Sequence, residues 1–252
     1  MASVKTRGII LRRRAYGEAD RILTVLTPGL GKLTAIAKGV RRLTSKLAGH
    51  TELFYVVDWV LAEGRTWYVV SGAEMVEPHR HLHGSLRTVE QASYLARLVD
   101  RLAPEHEAQP RLYVLLTEAL AALTDDTPHL LRQVEWQLLL ASGFQPELRA
   151  CSHCGNPLDP AQLALCPSRG GALCPDCLRS EAFHIPIHAD TLKILRLYER
   201  APLGLAARLS PAADTQHELA RVTSAFLSHA LESPFALPAS ATLVQEPVPS
   251  AA

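Results

Sequence analysis

No stretch of this sequence is apolar for long enough to cross a membrane, and its first apolar run is too short for a secretory leader. Ile9-Ile10-Leu11 gives way at once to Arg12-Arg13-Arg14. Cysteine is scarce, with five in 252 residues, and four of those stand in metal-ligand spacing. A chain this long can build a core without disulfides, so the pattern points to a reducing, cytoplasmic setting rather than to a stapled extracellular scaffold. Signatures of covalent chemistry are missing as well. There is no Gly-x-Ser-x-Gly elbow, no His-Glu-x-x-His pair and no evident pair of acids. Gly29-Leu30-Gly31-Lys32-Leu33-Thr34 approaches a phosphate loop. That motif, however, requires glycine at position 26 and a hydroxyl at position 33, where the chain has Leu26 and Leu33. A hairpin turn accounts for it better, and the chain reads as a non-enzyme without internal repeats.

The strongest positive signal is Cys151-Ser152-His153-Cys154, followed nineteen residues later by Cys174-Pro175-Asp176-Cys177. Each C-x2-C knuckle is a tight turn that aims two thiolates at one point, and two knuckles complete a tetrahedron for one zinc ion. Four thiolates leave no open position for water, so the site is expected to be structural. A redox dithiol, an iron–sulfur cluster and a disulfide are the alternatives. The intervening residues are rich in Gly and Pro, read as loop, and need a metal to fix them. Cys166 is expected to be a spare thiol, and His153 and His184 surface histidines. His79, His81 and His83, next to Pro78, read as a polar linker.

The net charge of +1 hides an asymmetry. Residues 1 to 50 hold eleven Lys and Arg against Glu18 and Asp20, a balance of +9, which leaves −8 for the rest. Such a division suits either a polyanion-binding module on a scaffold or a solvated basic face. Cationic candidates for phosphate contact are Arg12, Arg14, Arg21, Lys32, Lys38, Arg41, Arg42 and Lys46. The segment from Lys38 to Lys46 packs four of them and two hydroxyls into nine residues. Tyr16, in a turn, is the better candidate for stacking on a base, whereas Trp59 lies on an apolar face and is expected in the core.

Turn signals divide the first third into five strands, near 4–14, 20–27, 31–38, 50–62 and 66–76. Five short strands fit a small closed barrel that leaves no free edge. In the fourth, Leu53, Tyr55, Val57, Trp59 and Leu61 are expected on one face. Beyond Pro78 the apolar period becomes helical. Stripes occur at 89–102, 112–123, 130–141 (opened by Thr127-Pro128), 192–198 and 219–231, and predict a bundle closing around the metal insertion. The expected class is therefore α+β and multidomain. It assigns 1–80 to the barrel, 81–149 with 180–234 to helices, 150–179 to the zinc insertion, and 235–252 to a proline-rich disordered tail.

Three stretches together resemble the RecO family of bacterial recombination mediators: Arg14-Ala15-Tyr16-Gly17-Glu18-Ala19-Asp20-Arg21-Ile22-Leu23, then Ala37-Lys38-Gly39-Val40-Arg41-Arg42 through Lys46, and the paired cysteine knuckles. The resemblance implies that the barrel is an OB-fold. It further implies binding of single- and double-stranded DNA, annealing of strands coated by single-strand-binding protein, and action with RecR to load RecA. RecF and RecA would be reached indirectly, at the nucleoid and not at a membrane. The competing reading is a zinc-ribbon scaffold that contacts RNA or other proteins, and a weaker one is a zinc hydrolase with an open metal site.

Overall fold

A computed structural model describes residues 3–124, 130–205 and 208–235. The expected tail, apart from Phe235, and the expected Thr127-Pro128 helix start lie outside the described residues. Two compact units emerge, one of residues 1–124 with 140–143 and the other of residues 125–139 with 144–252. No helix among the described residues is long and apolar enough to cross a membrane.

The first unit opens with five strands: β1 (Ser3–Tyr16), β2 (Asp20–Thr27), β3 (Gly31–Ala37), β4 (Val56–Ala62) and β5 (Tyr68–Glu77). They close in the order β1-β2-β3-β5-β4. All neighbours are antiparallel except β3 and β5, which meet in parallel at Ala35–Tyr68 and Ile36–Val69. This is the Greek-key closure of an OB-fold. β1 is long enough to serve both sides, pairing with β4 from Ser3 to Ile9 and with β2 from Ile9 to Tyr16. At the bend stands Gly8, where a Cβ would lie 2.5 Å from a Val25 methyl. A bulge at Leu11, between Ile10 and Arg12, then shifts the register, after which Arg12, Arg13 and Arg14 pair regularly with Thr24, Leu23 and Ile22.

Inside, Ile10, Leu23, Val25, Leu33, Ala35, Val57, Trp59 and Leu61 are buried, those of one strand standing two residues apart as the pleat requires, while β2 is buried on both faces from Ile22 to Thr27. Trp59 is core, as its apolar face predicts, with Nε1 directed at the Gly8 carbonyl at 3.4 Å. The fourth strand begins later than the alternation suggests. Phe54 takes a left-handed conformation (φ 68°) and donates its N–H to Ile10 O at 3.0 Å. That twist buries Phe54 and leaves Leu53 and Tyr55 only half-buried. His79 likewise departs from the linker reading. It is 1 % exposed, its Nδ1 lies 3.0 Å from the Phe54 carbonyl, and burial pulls its pKa below the ordinary imidazole value.

Two helices share this unit. α1 (Leu86–Leu102) starts at Ser85, whose Oγ accepts the Thr88 N–H, and α2 (Pro110–Ala122) starts with proline at its first turn. The connection between them clamps the β2–β3 hairpin. His106 donates its N–H to Lys32 O at 2.9 Å, and the last turn of α1 adds to the clamp, its Asp100 carbonyl accepting from the Lys32 ammonium. Gly31 meets the same connection, with φ +68° and the Glu107 carbonyl oxygen 2.0 Å from where a Cβ would stand.

In the second unit, α3 (Leu130–Ala141), α5 (Ala189–Tyr198) and α6 (Ala213–Ala230) supply the helices, with a short helix, α4 (Pro175–Leu178), inside the cysteine region. That region was expected to be loop, yet it forms a small sheet of β6 (Ala164–Cys166), β7 (Gly171–Leu173) and β8 (Ile185–Pro186), in the order β7-β6-β8. Polar side chains close the helix ends. Gln137 donates to the carbonyls of Tyr198 and Ala201, and Gln133 to those of Ala201 and Pro202, satisfying orphan acceptors where α5 stops. At the other end of α5, Glu218 of α6 accepts from His188 N at 2.8 Å and from Thr191 Oγ1. Burial opposes ionisation of Glu218, but these bonds and the His188 ring outweigh it and hold the carboxyl below its ordinary value.

Two outcomes follow for stability. Gly31→Ala should cost about 1–3 kcal/mol, read as a lowered melting temperature, because the new methyl meets fixed backbone at a positive φ. Gly29→Ala, where a Cβ meets nothing, is the control and should stay within about 0.5 kcal/mol. Glu218 has a lowered folded pKa, so its contribution is complete above the unfolded value of about 4.3 and disappears as pH falls through the folded one. Glu218→Gln should therefore lose about 1–2 kcal/mol at pH 7 and flatten that acid limb in denaturation measured from pH 7 to 3.

Candidate nucleic-acid interface and metal centre

Strand register gathers the basic residues at one end of the barrel. Tyr16 pairs with Asp20 and Arg14 with Ile22, while Arg21 pairs with Ala37. The end of β1, the start of β2 and the end of β3 therefore form one rim. From it springs the loop that begins at Lys38. Gly39, at φ +64°, donates its N–H to Asp20 Oδ1 at 2.7 Å. Arg41 donates its N–H to Ala19 O at 2.8 Å and its guanidinium to Gly17 O at 3.2 Å. The loop returns beside the same strand, where Arg21 Nη1 donates to Thr51 Oγ1 at 2.8 Å and to Glu52 at 3.2 Å.

On this rim Arg14, Lys38, Arg41, Arg42 and Lys46 are exposed. Among the described residues none of the five has a carboxylate partner, and no acid occurs between Arg21 and Thr51. Tyr16 is 46 % exposed and meets Trp67 edge to face with ring centroids 5.5 Å apart. This rigid aromatic pair beside unpaired cations is suited to a flat, anionic ligand. Trp67 stands just before β5. Its place follows from β5 running parallel to the end of β3, a long-range pairing that no local pattern announces.

The other three basic candidates are committed within the protein. Arg21 bridges to Glu52, which Arg13 also grips. Lys32 stands at the opposite end of β3 from Lys38, about 20 Å away at strand rise. Its side chain is 12 % exposed and its ammonium is 3.4 Å from Asp100 Oδ1. Arg12 is exposed but leans to the same carboxylate at 3.7 Å.

In the other unit, Cys151, Cys154, Cys174 and Cys177 bring their Sγ atoms within 4.8 Å of one another, and Cys154 and Cys174 lie 3.6 Å apart. A tetrahedron of thiolates at about 2.3 Å from a metal has edges of about 3.8 Å, so the donor set fits one ion after small adjustments. Each knuckle closes through a backbone bond, Gly155 N to Cys151 O at 2.8 Å and Leu178 N to Cys174 O at 3.0 Å. Gly171 lets the chain at Glu147 pass close, for a Cβ there would stand 2.3 Å from the Glu147 carbonyl oxygen. Burial resists ionisation of Cys151, yet N–H groups of Cys174, Cys154 and His153 bring its thiol down to about 6. Cys177 moves the other way, raised by burial and by the thiols crowding it. Four thiolates so close require a cation between them.

Cys166 is fully buried and outside the cluster, with Sγ directed at the Phe183 carbonyl at 3.3 Å. His153 is exposed and His184 half-buried, and neither belongs to the four-sulfur group.

Comparison with known proteins covers nearly the whole chain. Residues 1–79 match the family model described as recombination protein O N terminal, and residues 84–237 the one described as recombination protein O C terminal. The chain is 37 % identical over 230 residues to a DNA repair protein RecO of Roseiflexus sp. (strain RS-1), covering 90 % of this chain and 81 % of that one. Similarity to a protein of the same name from Dehalococcoides mccartyi (strain ATCC BAA-2100 / JCM 16839 / KCTC 5957 / BAV1) is 35 % over 230 residues, 90 % of both chains. With that of Heliobacterium modesticaldum (strain ATCC 51547 / Ice1) it is 40 % over 185 residues, 71 % of this chain and 67 % of the other.

Removing one of the four sulfurs should abolish metal binding at this site. Elemental analysis of Cys174→Ser is expected to show loss of bound metal, and the variant should unfold at lower denaturant by several kcal/mol, since metal affinity here is folding energy. Cys166→Ser should keep its metal.

Proposed function

Because this chain belongs to the RecO family of DNA repair proteins, we propose that it is a non-enzymatic recombination mediator that holds DNA on the basic rim of its barrel. The observation that carries this reading is the set of exposed cations at 14, 38, 41, 42 and 46, without acidic partners, beside the Tyr16–Trp67 pair. Guanidinium and ammonium groups would take phosphate oxygens, with Thr44 and Ser45 as hydroxyl donors and Tyr16 stacking on a base. Contacts of this kind ignore sequence and weaken with salt, because each neutralised phosphate releases counterions. They serve single strands and duplexes alike. Annealing needs two strands held by their backbones with bases free to pair, and no bond-making chemistry.

In the same reading the chain works with RecR to place RecA on DNA coated by single-strand-binding protein, and with RecF less directly, in the cytoplasm at the nucleoid. The four cysteines would hold one structural zinc ion. Thiolate softness and tetrahedral geometry favour zinc, and the closed ligand set leaves no site for hydrolysis. Arg21, at the rim but bridged to Glu52, would contribute to its field, and Arg12, turned to Asp100 beside Lys32, would do so from a greater distance. Charge alone makes Lys32 a candidate for the same contacts. Its ammonium is engaged by Asp100, and we assign it to holding α1 on the barrel.

Anisotropy titrations of DNA and RNA oligomers of equal length, over a series of salt concentrations, test the reading. Tight, length-dependent DNA binding is expected. Arg41→Glu with Arg42→Glu should weaken it at least tenfold and lower the salt slope by about two. Unchanged binding by that variant would remove the rim from the interface, and preference for RNA would favour the RNA-scaffold reading.

A further inference from the structure

One side chain on the rim plays no part in its electrostatics. Leu43 has a relative exposure of 107 %, so its surface rests on nothing in the protein. It is not on a slack segment. Ser45 donates its N–H to Arg42 O at 3.0 Å and Arg42 its own to Gly39 O at 3.1 Å. Leu43 and Thr44 thereby become the centre of a closed turn, anchored from behind by the bonds from Gly39 and Arg41 to the β1–β2 connection. The turn thus presents an apolar tip flanked by Arg42 on one side and Lys46 on the other.

The surroundings restrict what can cover that tip. A partner must tolerate Lys38, Arg41, Arg42 and Lys46, so it carries negative charge, and it must also offer apolar surface within a few ångströms of that charge. Stacked bases between phosphates meet both conditions. The Tyr16 ring shares the rim, since Arg41 bonds the carbonyl of Gly17, the next residue along. An acyl chain would ask for a continuous apolar patch, whereas a single leucine stands here among cations.

We propose that Leu43 is a wedge that enters between neighbouring bases of the bound strand, with the Tyr16–Trp67 pair receiving a base that has left the stack. This rests on the DNA-binding reading above and refines it. Cations on the loop would hold the backbone, and the leucine would open the stack, as apolar side chains do when they unstack a base step. Bases opened in this way are ready to meet a complementary strand.

The test uses the full chain and oligonucleotides carrying 2-aminopurine, whose emission rises on unstacking. The unsubstituted protein should raise that emission on binding. Leu43→Ala, which alters no internal contact, should abolish most of the rise, weaken single-strand binding by about tenfold and leave the salt slope unchanged. Leu43→Trp should show quenching by DNA beyond that of the three native tryptophans. Equal emission and affinity for Leu43→Ala would overturn the wedge while leaving DNA binding intact. So would a Leu43→Trp emission untouched by DNA but shifted to the blue by anionic phospholipid vesicles, which would assign the tip to a membrane. If the unsubstituted chain fails to bind DNA at all, the DNA-binding reading falls, and the wedge with it.

Discussion

Two neighbouring side chains at the start of β2 hold the basic loop at both of its ends. Asp20 accepts the N–H of Gly39 where the loop leaves β3, and Arg21 reaches Thr51 and Glu52 where it returns toward β4. The intervening segment carries three cations, Arg41, Arg42 and Lys46, and no acid, so its own charges push it apart. It has little regular structure to resist them. Anchorage to the barrel turns a self-repelling stretch into a defined surface, and the rim exists because of it. The aromatic pair belongs to the same arrangement, because Tyr16 ends the strand that leads into the turn bonded by Arg41.

Charge in the first fifty residues is shared out by the fold. Arg7 forms a two-pronged pair with Asp58, Arg13 and Arg21 divide Glu52, and Lys32 with Arg12 turns to Asp100. All three acids come from beyond residue 50. They neutralise cations along the walls, at the far end of the barrel and, through Glu52, at the foot of the loop, and among the described residues none pairs with Arg14, Lys38, Arg41, Arg42 or Lys46. What the composition shows as a diffuse excess thereby becomes a local field at one end. Concentration of charge in this way matters more to a polyanion than net charge, since screening erases distant contributions within about 10 Å.

The second unit relies on different means. Around the cysteines the buried cluster is small, formed by Cys151, Cys166, Leu173 and Cys174 with Leu158, Cys177 and Leu178 against it. So little apolar surface cannot offset the entropy of ordering the segment, which is the physical reason a metal held by the four cysteines would stabilise it. Its short strands hang on close backbone passage at Gly171. Among the helices, glutamines of α3 and a glutamate of α6 supply the capping atoms that α5 lacks in its own sequence. Helix ends closed from so far along the chain are invisible to local rules.

Periodicity and punctuation in the sequence were enough to determine the five strands, the succession of helices, the closed barrel and which four cysteines gather. Each of these depends on residues near one another in the chain, or on a spacing set by turn geometry. The late start of β4 escaped because Phe54 adopts a left-handed backbone that alternation does not encode. His79 escaped because its burial is decided by the Phe54 carbonyl rather than by Pro78. Which cations remain free, which aromatic meets Tyr16, and that α1 and α2 cluster with the barrel rather than with the other helices were decided by tertiary structure alone. An arginine's availability depends on whether a distant acid is brought within reach, and only the closed fold fixes that distance.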